Sequence, residues 1–196
     1  MLRLTLAALF ICSSASAVSA APDKGKARFF VHLQAVKERT KECRLAAAAT
    51  KTVRQLLARA PAVTVDLGIP IPKDKKVLAA LLAKRGLVGY GIVFRINSCK
   101  HSLEPPPKGK KRKVLMVEVN TVIDAEKLPV GQLALAGSGG GQVGTHASKV
   151  HPKELQQLRR EALSVATKQA VARFLRTLTE APSKRSKKKR QRRKRR

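Results

Sequence analysis

Apolar and polar positions alternate from residue 27 onward. Phe29, Val31, Leu33 and Ala35 fall on one side of an extended segment at 27–36, and His32 and Gln34 fall on the other, which predicts a half-buried strand. From about residue 38 to residue 60 the period lengthens. Ala46, Ala49, Val53, Leu56, Leu57 and Ala60 then share one helical face, Lys41, Arg44, Lys51 and Arg54 lie mostly off it, and Pro61 ends the run. Val63, Val65 and Leu67 alternate with Thr64 and Asp66, a short second strand. Gly68-Ile-Pro-Ile-Pro72 reads as extended, because proline restricts both itself and the residue before it. Asp74 is placed to cap a second helix carrying Val77, Leu78, Leu81 and Leu82, and Gly86 is placed to stop it.

A long strand follows, with Tyr90, Ile92, Phe94 and Ile96 on one face and Gly91, Val93, Arg95, Asn97 and Cys99 on the other. Residues 104–113, rich in Pro, Gly and Lys, form a hairpin loop too hydrophilic to bury. Leu115, Val117, Val119 and Ile123 then return against Met116, Glu118 and Asn120. Residues 130–136 read as a third strand of this meander, and 137–144 as a flexible glycine-rich connection. A final helix over about 152–179 carries Leu163, Ala166, Ala170, Phe174 and Leu178 in one stripe. There is no internal repeat. The order is β-α-β-α-β-β-β-α. Early β-α units predict parallel pairing and the later hairpins antiparallel pairing, so the expected fold is α+β: a single domain with a mixed sheet and helices packed on one face.

The early strand-helix-strand unit, the meander opened by Gly89-Tyr-Gly-Ile-Val-Phe-Arg-Ile96, and the Ala-rich last helix together resemble a family of envelope-associated α/β domains. These are the type found in the curli-secretion lipoprotein, in outer-membrane activators of penicillin-binding proteins and in the amino-terminal domain of the Tol–Pal translocation protein. The likeness covers about residues 27–179 and lies in element order. It implies a non-catalytic assembly or binding module with an envelope protein as partner. The anchoring lipobox of two of those groups is missing here.

The residues ahead of the domain point to the same compartment. Met1-Leu-Arg3 is a short positive region, residues 4–12 are an apolar run too short to span a bilayer, and small residues follow to Ala21. This is the form of a signal peptide at 1–20, cleaved near Ala20, with a linker at 21–26 and an exported, periplasmic or extracellular, chain beyond it. Phe10 and Ile11 precede Cys12 where a lipid-attachment signal needs small residues. No later stretch is long and apolar enough to cross a membrane as a helix. Cleavage leaves Cys43 and Cys99, an even pair that invites a disulfide in an oxidising compartment. Against that, strict alternation puts Cys99 on the polar face of its strand and Cys43 beside the apolar stripe of a helix, a geometry that does not favour a bond; two separately buried thiols are the alternative.

Charge then narrows the partner class. The chain carries 42 Lys and Arg against 12 Asp and Glu, a net charge of +30. Eleven of the basic residues crowd the C-terminus: Lys184, Arg185, Lys187, Lys188, Lys189, Arg190, Arg192, Arg193, Lys194, Arg195 and Arg196. Like charges at this density repel and bury nothing, so 182–196 is expected to be a disordered polybasic tail behind a domain at 27–181. Lys108, Lys110, Lys111, Arg112 and Lys113 form a second cluster, either another contact or a means of keeping the hairpin soluble. Both clusters suit an anionic polymer or membrane surface by counterion release. Stacking readout of bases is disfavoured, since the chain has no Trp and one Tyr. The alternative function class is a sequence-independent polyanion- or nucleic-acid-binding protein whose fold only carries the tail.

No catalytic constellation emerges, so the chain is not expected to be an enzyme, and no cofactor or metal is expected. Residues 137–144 lack the Gly-Lys-Ser/Thr run of a phosphate loop and do not open directly into a helix. His146 and His151 have no cysteine or carboxylate beside them in sequence, and His32 and His101 sit on strands. Glu118, Asp124 and Glu126 are scattered carboxylates with no nucleophile, and no Gly-x-Ser-x-Gly elbow occurs.

Overall fold

The structure, a computed structural model, describes residues 27–39, 43–106, 112–147 and 149–193, the last thirteen of these as backbone alone. The leader and linker therefore lie outside the described residues. The elements are β1 (Phe29–Glu38), α1 (Ala46–Ala58), β2 (Val63–Thr64), α2 (Lys75–Lys84), β3 (Val88–Glu104), β4 (Val114–Leu128), β5 (Gln132–His146) and α3 (Pro152–Arg193). They make one five-stranded sheet in the order β2-β1-β3-β4-β5. β1 lies parallel to β2 and β3, and β3, β4 and β5 run antiparallel. Element order and the mixed sheet are as the periodicity predicts.

Two helices cover one face. Ala49, Val53 and Leu57 of α1 and Leu163, Ala166, Ala170, Phe174 and Leu178 of α3 join Val31, Ile92, Phe94, Ile96, Leu115, Val117, Val119 and Ile123 in the main core. The short α2 is the exception to helices on a single face. Phe30, which points away from its neighbours Phe29 and Val31, packs with Leu67, Leu78 and Leu82 in a separate small cluster, so α2 closes one end of the opposite face. Asp74 caps α2, accepting hydrogen bonds from the backbone N–H of Lys76 (2.6 Å) and Val77 (3.4 Å), and Gly86 ends it at φ 66°. The rest of that face is polar: Arg95 pairs with Asp124 at 2.9 Å, and Asn120 donates to Glu118 (2.7 Å) and Ser98 (3.1 Å).

Three expectations are corrected. α1 begins at Ala46 rather than near residue 38, because β1 runs on to Glu38 and Arg44 turns the chain at φ 50°. The Glu38 carboxylate then accepts from the N–H groups of Leu45 (3.1 Å) and Ala46 (3.3 Å), at the positive end of the helix. β2 is only two residues long. Asp66 folds the chain into a turn, accepting from Gly68 N at 2.7 Å, while Thr64 donates to the Asp66 carbonyl at 2.8 Å. Val65 and Leu67 are thereby withdrawn from the sheet.

The third correction is the largest. Residues 137–144 are not a flexible connection but the body of β5. A Cβ on Gly137, Gly139 or Gly141 would run into the backbone of α3 at Ala170, Ala166 and Ala162 respectively. Two strand residues advance about 6.7 Å and four helix residues about 6 Å, so the glycine and alanine spacings stay in step over three contacts. Strand and helix thus meet backbone to backbone. The buried Thr121 hydroxyl lies 3.3 Å from both Gly139 O and Ala166 O, tying β4 into the same seam. The backbone of 182–193 continues α3.

Candidate functional site

The two cysteines are bonded. Cys43, in the connection before α1, and Cys99 of β3 form a disulfide with Cα atoms 6.4 Å apart. Alternation placed Cys99 on the wrong face for a specific reason. β3 carries a bulge between Ile96 and Ser98, where Asn97 has no β4 partner. The extra residue flips every side chain after it, so Cys99 pairs with Val119 and turns toward the helices. Cys43 O also accepts from Gln156 Nε2 of α3 at 3.3 Å, so α1's entry is held by β3 and α3 together.

The sheet has two edges, and they are treated differently. On β5, α3 reaches around the rim. Arg173 donates to Ser138 O at 3.1 Å and to its hydroxyl at 3.2 Å, while Gly140 N donates to Gln169 Oε1 at 3.3 Å. The Ser138 carbonyl and the Gly140 N–H, at the middle of the edge, are thereby withdrawn from another chain. On the other side, β2 pairs with Phe29 and Phe30 alone. From Val31 to Glu38, β1 has β3 on one side and, among the described residues, no strand on the other.

A groove of about 530 Å³ opens along that free edge. Its lining comes from Val31, His32 and Leu33 of β1, from Arg54, Gln55, Leu57 and Ala58 of α1, and from Val65 where the chain turns away. The floor is apolar. The His32 ring stacks against Phe30 on the far side of β1, their centroids 6.4 Å apart. Burial, with the nearby Arg54 guanidinium second, pushes the His32 imidazole below its ordinary pKa. Burial alone raises the Tyr90 phenol.

The basic clusters are not brought together. Arg112 and Lys113 are exposed at the β3–β4 hairpin, and Lys108, Lys110 and Lys111 lie outside the described residues. That hairpin stands at the end of the sheet where His146 pairs with Val114 and α3 begins. α3 then runs past Gly141, Gly139 and Gly137 toward the opposite end. Backbone for Lys184, Arg185, Lys187, Lys188, Lys189, Arg190, Arg192 and Arg193 continues α3 in that direction; Lys194, Arg195 and Arg196 lie outside the described residues. Arg112 and Lys113 and the C-terminal end of α3 thus lie toward opposite ends of the sheet. Sequence reasoning missed the groove, although Asp66-Leu-Gly68 after so short a strand was its one legible signal.

Among the described residues no group of three or more His, Cys, Asp or Glu is arranged to hold a metal ion. Glu118 and Asp124 are engaged on the solvent-facing side of the sheet. No family model matches this chain, and no curated protein matches it. Solved structures with a similar arrangement include a minor lipoprotein from Acinetobacter baumannii (10% identity, 74% of this chain and 89% of the other, TM-score 0.42). A DUF330-family protein from Xanthomonas campestris is similar over 85% of this chain and 93% of the other (7% identity, TM-score 0.44). The lipoprotein GNA1162 from Neisseria meningitidis is similar over 67% and 92% (10% identity, TM-score 0.31). At these scores function is argued from the site alone.

Proposed function

We propose that this chain is an exported, non-catalytic binding or assembly module of the cell envelope whose polybasic C-terminus contacts anionic surfaces. The observation that carries the reading is the contrast within one sheet: an edge engaged by α3 and an edge left open beside an apolar groove, with no metal-holding cluster of His, Cys, Asp or Glu among the described residues. Docking, not chemistry, is what such a surface offers. The disulfide supports an oxidising compartment, in keeping with the leader at 1–20 cleaved near Ala20. No helix among the described residues is long and apolar enough to cross a membrane. The eleven terminal charges act as a delocalised contact to phosphate or carboxylate groups, and the Lys108–Lys113 cluster, at the opposite end, is a separate contact.

Heparin or anionic vesicles test the tail. Retention is expected to fall steeply with salt, with a log–log slope near 0.9 per contact on duplex DNA. Scrambling residues 184–196 at constant composition is expected to leave binding nearly unchanged, and replacing half of the Lys and Arg with Gln to weaken it strongly. Binding insensitive to ionic strength refutes the reading. Mass spectrometry of the native protein tests export: a mature chain still beginning with Met1, or a lipid on Cys12, is incompatible with it.

A further inference from the structure

The open edge of β1 is long enough to take another strand. Val31 to Glu38 is eight residues, and a partner of five to seven would cover about 17–23 Å of it. We propose that this edge and its groove form a β-augmentation site for an extended acidic peptide segment, apolar on alternate residues, supplied by a protein partner. The inference rests on the binding-module reading and names its partner class. Backbone groups of β1 would provide the hydrogen bonds, and alternate side chains would fall either into the groove or away from it.

The alternation follows from the two sides of the edge. On the helix side the segment meets Val31, Leu33, Leu57, Ala58 and Val65, which suits valine- or leucine-sized groups. On the other side Lys37 is exposed, and at the groove itself Arg54 of α1 reaches close enough to act on His32. The two nearby carboxylates are committed elsewhere. Glu38 holds the N-terminus of α1, and Asp66 holds its own turn. Both keep their negative charge, but in a chain of net charge +30 the surroundings of Lys37 and Arg54 carry an excess of Lys and Arg, and acidic residues complement it. A second copy of the chain would bring its own excess of positive charge to the same rim. The bulge between Leu33 and Ala35 divides the edge, so the stretch beside the groove anchors the segment.

The test uses the mature full-length chain and an acetylated, amidated heptapeptide of alternating valine and glutamate. Residue-resolved hydrogen exchange is expected to slow at least about tenfold at amides within 31–36 when the peptide is saturating. Ala58→Trp, at an exposed groove position, is expected to abolish that protection while leaving heparin retention unchanged. Arg54→Glu is expected to weaken the peptide at least about tenfold and to favour its valine–lysine counterpart. A peptide with N-methylated backbone is expected not to bind. Several results would overturn the proposal: no protection at 31–36, equal binding of the valine–lysine or N-methylated peptide to the unaltered chain, or protection confined to 132–146. Protection of 31–36 that rises with protein concentration in the absence of peptide would assign the edge to a second copy instead. Loss of β1 protection with salt-sensitive heparin binding intact would sink the groove alone; loss of both would sink the tail reading too.

Discussion

The two halves of the sheet reach stability by different means. On the β5 side, three glycines let α3 settle onto the strand, and Arg173 and Gln169 close the rim. On the β1 side, α1 buries only Ala49, Val53 and Leu57, the edge is open, and the Cys43–Cys99 bond ties the connection before α1 to β3. Close packing leaves no room for a partner, whereas a covalent tie preserves the fold without covering the edge. One half is held by close packing, and the other is held by a covalent tie that leaves its strand edge unpaired.

The sharpest way to break this contrast is Gly139→Val. Its Cβ would meet the Ala166 carbonyl, so α3 must lift along its length, and a loss of at least about 4 kcal/mol, or failure to fold, is expected in denaturant titration. Replacing both cysteines with serine tests the other half. The bond closes a loop of 56 residues in sequence separation, and about 2–4 kcal/mol should be lost, with hydrogen exchange rising first in α1 and β1 rather than in β5.

Stripping the rim, by Arg173→Ala with Gln169→Ala, should cost only about 1 kcal/mol, because each contact is solvent-accessible. It should instead raise self-association, measured by light scattering against concentration, by freeing a strand with no charged residue between Gln132 and Thr145. If the uncapped chain stays as monodisperse as the parent, the two side chains do not guard that edge. The smallest effect concerns His32. Because its folded pKa is lowered from 6.5, the neutral ring's contribution is complete above that value and is lost as pH falls through it toward the lowered one. His32→Gln should therefore flatten the decline in melting temperature between about pH 7 and 5, and an identical decline in both proteins would show that His32 is not its source.

Much of the fold was legible because burial imposes a period. Tyr90 to Ile96 and Leu115 to Ile123 alternate since one face meets helices, and Asp74 and Gly86 mark α2 through local backbone chemistry. The glycine strand was not, since residues without side chains carry no apolar signal. Its meaning lies in a partner, the alanine stripe of α3, which comes into step only after folding. The disulfide was obscured by a single residue, Asn97, whose bulge reverses the facing of Cys99. Within the candidate site, the terminal charges are evident from composition, but the groove is made by an absence of pairing after Phe30.

The sequence by itself therefore determined what short-range physics controls: the order of elements, the faces that must be buried, and the density of positive charge at one end of the chain. Tertiary structure alone decided which cysteine faces which, which strand is sealed and which edge remains open. Those outcomes depend on register and close approach between segments distant in sequence, where one inserted residue or one missing Cβ changes the neighbour a group meets.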